Sequence, residues 1–96
     1  MAEVVKSLEA KERLKQIVEY IAKDNLEASI RWLDEIEAIF ALLAEQPGIG
    51  QQVQTRRFGI VRRHVVGNYL VYYQPITGGV EILLVSHGSR DQRRLI

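Results

Sequence analysis

Seven arginines in the second half of the chain are the residues whose type and grouping best suit binding chemistry. They are Arg56, Arg57, Arg62, Arg63, Arg90, Arg93 and Arg94, whereas all four lysines precede residue 24. Residues 51–96 carry these seven cations against two carboxylates, a net charge of +5, and residues 1–50 carry six cations against ten carboxylates, a net charge of −4. A planar guanidinium group grips carboxylate or phosphate through two hydrogen bonds. The grouping indicates either recognition of an acidic partner or a solvated basic surface.

Other residue types give no pattern of an active site. His64 and His87 have no H-x-x-x-H spacing or cysteine partner, so we interpret both as structural histidines rather than metal ligands. The serines lie outside any G-x-S-x-G motif, and the glycines form neither a P-loop nor a G-x-G-x-x-G pattern. We therefore predict no catalytic residue, no metal and no cofactor.

RNA cleavage is one enzymatic alternative that stays open. Attack by a 2′-hydroxyl needs only positioned acid–base groups and cations that stabilise the phosphorane. The predicted strands and their ends supply such groups. They are Arg62, Arg63, His64, Tyr69, Tyr72, Tyr73, His87 and Arg90.

Length and composition predict one folded domain over residues 1–96. An apolar content of 47% and a charged content of 26% are ordinary for globular proteins. The chain has no cysteine, and no apolar run approaches the length needed to cross a bilayer. The first residues, MAEVVKSLEAK, lack the apolar region of a signal peptide. We expect a cytoplasmic protein that does not enter a membrane.

The first half of the chain predicts a short strand followed by two antiparallel helices. Residues 2–6, AEVVK, form a short run around two β-branched valines, and Ser7 is a suitable N-cap for a helix that ends near Lys23. Asp24 or Asn25 can cap a second helix, which runs to about Gln46 before Pro47 ends it. Both helices carry apolar residues at helical spacing, and Trp32 widens the second stripe on one side.

The second half predicts a polar loop and then three antiparallel strands. Residues 48–55 contain two glycines and three glutamines, which favours a loop. The runs IVRRHVV, YLVYY and VEILLV are separated by Gly67-Asn68 and Gly78-Gly79, both typical of two-residue hairpins. Residues 89–96 follow as an arginine-rich tail.

These elements predict a two-layer α+β fold. The helix pair can bury its apolar face only against one face of the three-stranded meander. The last strand is apolar at almost every position after Glu81, so it should be central, with the first strand, residues 2–6, beside it.

Two phrases of the sequence resemble the RelE/ParE toxin superfamily. Residues 66–91, VGNYLVYYQPITGGVEILLVSHGSRD, resemble the ParE-type pattern V-G-x-Y followed by hydrophobic-x-Y-Y/F-x-P, a turn, a strand with Glu-Ile, and H-G-x-R-D. The phrase LLAEQPGIGQ is similar to the family's leucine-rich helix that ends in a proline and a glycine. Together with the order of elements, the resemblance covers about nine tenths of the chain.

The resemblance implies the toxin of a type II toxin–antitoxin system. ParE-like members are associated with inhibition of DNA gyrase, and a cognate antitoxin folds onto the toxin. We expect a toxin–antitoxin hetero-oligomer or a homodimer. The expected target-binding residues are Arg90, Arg93 and Arg94, on a mobile tail from which the core gains little. The expected antitoxin-binding residues are Arg56, Arg57, Arg62, Arg63 and Trp32, with the arginines on the outer strand.

Two alternatives remain open. RelE-like members share the fold and cut mRNA on the ribosome, with a basic cluster on the sheet and an aromatic or histidine near the C-terminus. Arg90 matches a basic position of that group, but the chain ends RRLI and no lysine lies on the three strands of the predicted meander. A non-toxic binding module is the second alternative, and a toxin that has lost activity would also retain the fold.

Overall fold

A helix hairpin packs against a five-stranded sheet in the computed structural model, which describes residues 2–89 and 92–96 apart from the side chain of Arg93. The elements are β1 (Glu3–Lys6), α1 (Leu8–Asp24), α2 (Leu26–Glu45), a short 3-10 helix (Pro47–Ile49), β2 (Gln51–Thr55), β3 (Gly59–Val66), β4 (Tyr69–Ile76), β5 (Gly79–His87) and α3 (Gln92–Leu95). The strand order is β1-β5-β4-β3-β2, with β1 parallel to β5 and the other pairs antiparallel. The α+β class and the pairing of the first strand with the last are confirmed.

Two polar side chains begin the long helices. The Ser7 hydroxyl accepts the N–H of Ala10 at 3.0 Å and donates to the carbonyl of Leu83 at 2.9 Å, so it joins the helix start to β5. Asn25, one of the two residues predicted to cap α2, accepts the N–H of Ala28 at 3.0 Å. These side chains satisfy N–H groups that have no partner inside a helix. The starts of both long helices therefore follow from single polar residues in the sequence.

Strand β5 has a neighbour on each side, β1 and β4, as predicted, but β4 rather than β5 lies at the centre of the five-stranded sheet because β2 adds a strand at the far edge. Its close approach to β1 depends on Gly79, where a Cβ atom would lie 1.8 Å from the carbonyl oxygen of Glu3. The register between β4 and β5 shifts at Tyr72 and Tyr73, which face Leu84 and Ile82 respectively. Leu83 is the extra residue of this β-bulge, which lets the consecutive residues Leu83 and Leu84 both pack in the cluster on the face opposite the helices.

The segment predicted as a polar loop forms an additional strand, so this part of the prediction was wrong. Residues Gln51–Thr55 pair antiparallel with Gly59–Arg63 of β3 as the outermost strand β2. Only Val53 of this strand is apolar, and its side chain packs against a buried cluster. Because β2 has one neighbour and an exposed edge, pairing with β3 rather than an apolar pattern defines it.

Both faces of the sheet are covered. The helix face packs α1 and α2 against β4 and β5 around the fully buried Phe40 and Tyr73. The opposite face buries Tyr72 and Leu84, and the partly buried Leu95 packs there. Adjacent residues of a strand point to opposite faces, so Tyr72 and Tyr73 divide between the two cores.

Candidate functional site

The predicted outer-strand arginines lie on β3 and on the turn that joins β2 to β3. Arg62 and Arg63 are half-buried on β3, which is the second strand from the edge because β2 lies outside it. The prediction that they lie on the outer strand was wrong. Arg56 and Arg57 are exposed on the β2–β3 turn. The four arginine side chains therefore have different surroundings and can have different roles in binding.

Arg57 joins three parts of the chain. Its guanidinium forms a two-bond ion pair with Glu9 of α1, with one N···O distance of 3.1 Å, and lies over the Phe58 ring. Its backbone N–H donates to the carbonyl of Ile96 at 2.7 Å. The hydrogen bond from Arg57 holds the pKa of Glu9 below its ordinary value, although partial burial acts in the opposite direction. Much of the guanidinium is already committed within the molecule.

Arg62 and Arg63 also have intramolecular partners. Arg62 Nη1 donates to the carbonyl of Gly50 at 2.7 Å and holds the turn that leads into β2. Arg63 Nη2 donates to Oε1 of Gln51 at 3.3 Å, in an exposed contact. The Arg63 contact is long and exposed, so a partner can displace it at lower cost than the Arg62 contact.

Trp32 lies apart from the β2–β3 turn. Its half-buried ring packs against the helix-face core and meets the Tyr69 ring edge to face, with centroids 5.2 Å apart. Tyr69 pairs with Val66 at the other end of β3 from the turn. The structure therefore does not bring Trp32 together with Arg56 and Arg57.

The expected tail arginines are only partly within the described residues. Arg90 lies outside them, and Arg93 is described through its backbone in α3 but not its side chain. Arg94 is exposed on the same helix. Of the three expected target-binding arginines, only Arg94 therefore has a described side chain, and it lies on a short helix.

Helix α3 packs on the opposite face of the sheet, so the expectation of a mobile tail from which the core gains little was wrong. Gln92 Oε1 accepts the hydroxyls of Tyr72 at 2.8 Å and Ser86 at 3.1 Å, and its Nε2 donates to the carbonyl of His87 at 3.1 Å. Leu95 and Ile96 pack against the apolar cluster there. Sequence analysis missed this role of Gln92, because an isolated glutamine in a polar segment gives no periodic signal.

Arg56 and Arg94 line one shallow hollow. It has a volume of about 410 Å³, and we call it the turn–tail surface. Its lining residues are Gln54, Thr55, Arg56, Arg94 and Ile96. Neither arginine forms an ion pair with any residue that the structure describes. The sequence assigned these arginines to different partners, whereas the fold places them on one surface.

The turn–tail surface suits binding rather than bond cleavage. Guanidinium groups remain charged at all physiological pH values and act as hydrogen-bond donors, so they recognise carboxylates and phosphates. The side chains of the described lining include no histidine, aspartate or glutamate that could transfer a proton. Within residues 2–89 and 92–96, no group of three or more histidine, aspartate or glutamate side chains is placed to hold a metal ion. No helix in that part of the chain is long and apolar enough to cross a membrane.

Comparison with protein families decides the identity of this scaffold. Residues 4–92 match the model of the ParE toxin of type II toxin–antitoxin systems, parDE. The chain belongs to the ParE toxin family. A search of the curated proteins found no significant match. Toxins of the ParE family act in pairs with a cognate ParD antitoxin, so the basic surfaces described above belong to a protein with an antitoxin partner.

Proposed function

We propose that this ParE-family toxin binds and inhibits DNA gyrase without an enzymatic step of its own, through the turn–tail surface. The observation that carries the proposal is the placement of Arg56 and Arg94 on one hollow with no ion-pair partner among the described residues. The tail is fixed at this surface because Arg57 and Gln92 hold it against the sheet. Cations held on a fixed frame lose less side-chain entropy when they bind carboxylates of a protein partner.

A supercoiling assay with purified gyrase tests this proposal. We expect the wild-type toxin to inhibit supercoiling, and Arg94→Glu to raise the half-inhibitory concentration about tenfold or more, because a charge-assisted hydrogen bond contributes about 1.5–3 kcal/mol. Arg31→Glu is the matched control, since Arg31 is exposed on α2 and does not line the turn–tail surface. A toxin without effect on gyrase, or an Arg94→Glu variant as potent as wild type, contradicts the proposal.

For the antitoxin we propose an acidic segment that lies along the outer strands and covers Arg56 and Arg63. Arg63 is half-buried with a long, exposed contact to Gln51, and β2 offers an unpaired strand edge beside it. Disordered partner segments commonly add a strand to such an edge, and neighbouring charges help to fix how the added strand aligns with it. Arg57 and Arg62 then act mainly by shaping the surface, and Trp32 serves as an apolar contact at the far end of β3. Neutralisation follows because antitoxin and target both require Arg56.

Two charge reversals separate the two partners. Arg63→Glu should weaken antitoxin binding about tenfold at low salt and leave gyrase inhibition unchanged, whereas Arg94→Glu should do the reverse. Titration calorimetry or surface plasmon resonance with the antitoxin, at two salt concentrations, measures the first effect. Equal antitoxin affinity for wild type and Arg63→Glu at both salt concentrations places the antitoxin elsewhere.

RNA cleavage on the ribosome is the second candidate function. Its specific support is His87, whose ring meets the Tyr69 ring at 5.2 Å and whose Nδ1 lies 2.6 Å from the Ser89 hydroxyl. These groups can transfer protons. A translation assay that maps mRNA ends decides between the candidates: we expect intact mRNA, and codon-specific cleavage would favour the RelE-like function.

A further inference from the structure

A second basic surface lies between α1 and the adjoining ends of β4 and β5, away from the turn–tail surface. This α1 cleft has a volume of about 760 Å³, within the usual range of small-molecule sites. Six residues of α1 line it. They are Arg13, Gln16, Ile17, Glu19, Tyr20 and Lys23. Tyr69 and His87 line the facing wall. The ten helical steps from Arg13 to Lys23 extend about 15 Å along the helix, so the cleft is elongated.

Aromatic rings form the middle of this cleft. Tyr20 is 70% exposed although it is a large aromatic residue. The rings of Tyr69 and His87 meet edge to face, with centroids 5.2 Å apart, so the facing wall is fixed. An exposed ring opposite a fixed aromatic wall can stack on a planar ligand, and such stacking contributes about 1–3 kcal/mol per nucleic-acid base.

Hydrogen-bond donors without partners accompany these rings. The Tyr69 hydroxyl and the Lys23 ammonium have no hydrogen-bond or ion-pair partner among the residues that the structure describes. Burial, followed by the proximity of Tyr20, raises the pKa of Tyr69, so its hydroxyl stays a donor at neutral pH. The backbone N–H of Ser89 donates to Nδ1 of His87 at 3.1 Å, which places the proton of the neutral ring on Nε2. The cleft thus offers donors in excess of acceptors.

Arg13 is available to an anion because its nearest carboxylate is engaged elsewhere. The Arg13–Glu9 distance is 3.9 Å, whereas Glu9 forms its two-bond pair with Arg57. Glu19 also lines the cleft, so the cations of Arg13 and Lys23 face one carboxylate. That charge balance suits a ligand with one negative charge per nucleotide, as in a phosphodiester chain.

We propose that the α1 cleft binds a nucleotide, with its base stacked on Tyr20 and its phosphate held by Lys23, while Arg13 is available to a neighbouring phosphate of a chain. A helical peptide fits less well, since such a ligand needs several apolar anchors and only Ile17 and Val85 of the described lining are aliphatic. The nucleotide can come from a single-stranded nucleic acid or from the free mononucleotide pool. This proposal stands independently of the gyrase interaction.

Fluorescence anisotropy with a labelled single-stranded oligonucleotide at low salt tests the proposal. We expect Tyr20→Ala to weaken binding about tenfold or more and Tyr20→Phe to retain it, because stacking needs the ring but not the hydroxyl. Lys23→Ala should weaken binding and lower the slope of log affinity against log salt by about 0.7, the value for one phosphate contact on a single strand. Lys15→Ala is the matched control, since Lys15 is exposed on α1 and does not line the cleft.

Competition with adenosine monophosphate and with inorganic phosphate identifies the source of the ligand. Competition by the mononucleotide at concentrations similar to those of the oligonucleotide supports a free nucleotide, and a requirement for the chain supports a nucleic acid. Three results would overturn the proposal. They are an absence of binding by wild type to both the oligonucleotide and the mononucleotide, equal losses in Lys15→Ala and Lys23→Ala, and inorganic phosphate competing as well as the mononucleotide.

Discussion

Tyr72 and Tyr73 are neighbours on β4, both fully buried, yet their hydroxyls stabilise the two faces of the sheet in different ways. On the helix face, the Tyr73 hydroxyl donates to the carbonyl of Pro47 at 2.7 Å and accepts the N–H of Gly50 at 2.8 Å. On the opposite face, the Tyr72 hydroxyl donates to the side chain of Gln92 at 2.8 Å. One tyrosine fixes backbone inside the main core, and the other fixes a short helix laid over a smaller core.

The difference shows where this fold is strong and where it can present a surface. Two long helices close the helix face with a continuous buried cluster. The β2–β3 turn and residues 92–96 close the opposite face. They do so through a few hydrogen bonds and through Leu95 and Ile96, which pack on a smaller apolar cluster. The turn–tail surface lies at that second closure. Its geometry should therefore be easier to perturb than the helix-face core, and five substitutions test this contrast.

The largest effect should come from removing a side chain of the helix-face core. Phe40 is completely buried there, so Phe40→Ala should lower the free energy of unfolding by about 3–5 kcal/mol through lost burial and a cavity. Leu95 is only partly buried on the opposite face, and Leu95→Ala should cost less than about 2 kcal/mol. Urea denaturation monitored by circular dichroism measures both. Equal losses would mean that the two faces contribute alike.

The next effect isolates the Tyr73 hydroxyl. Tyr73→Phe keeps the ring but leaves the buried N–H of Gly50 without its partner, which should cost about 1–3 kcal/mol. Hydrogen exchange at Gly50 should accelerate in the same variant. A stability equal to that of wild type would show that water replaces the hydroxyl at this position.

The matching change on the opposite face should be smaller. Tyr72→Phe removes one of two hydroxyls that donate to Oε1 of Gln92, so the amide keeps its bond from Ser86 and the loss should be about 0.5–1.5 kcal/mol. Amide exchange at residues 94–96 should rise while that of α2 stays unchanged. Equal increases of amide exchange in α2 and α3 would show that α3 does not open independently of the helix-face core.

The smallest effect concerns the Glu9–Arg57 pair and depends on pH. Because the Arg57 hydrogen bond lowers the folded-state pKa of Glu9 below the ordinary value of 4.5, the pair stabilises the fold above that pH and is lost as pH falls through the folded-state pKa. The pair is partly exposed, so its contribution should be under about 1 kcal/mol. Glu9→Gln should flatten this part of the acid-unfolding profile. An unchanged slope below pH 4.5 would assign the acid sensitivity to other carboxylates.

The sequence by itself determined the elements whose signals are local or periodic. Ser7 and Asn25 mark helix starts because their side chains satisfy free N–H groups, and Pro47 ends α2 because it cannot continue the helical bonding. The hairpins at Gly67 and Gly78 follow from positive φ angles of 58° and 82°, which glycine adopts readily. The apolar run of β5 placed it between two strands because both of its faces must be buried.

Only the tertiary structure decided β2 and the position of the tail. Strand β2 has a single apolar residue, Val53, and exists because β3 supplies hydrogen-bond partners from across a turn. Gln92 of α3 holds the tail against the sheet because the hydroxyls of Tyr72 on β4 and Ser86 on β5 both lie within reach of its side chain. Arg56 and Arg94 likewise line one hollow although 38 positions separate them in the sequence. The periodicity of apolar residues indicates which face of a helix or strand is buried. Contacts between polar side chains that are far apart in the sequence depend instead on the packed geometry of the whole sheet.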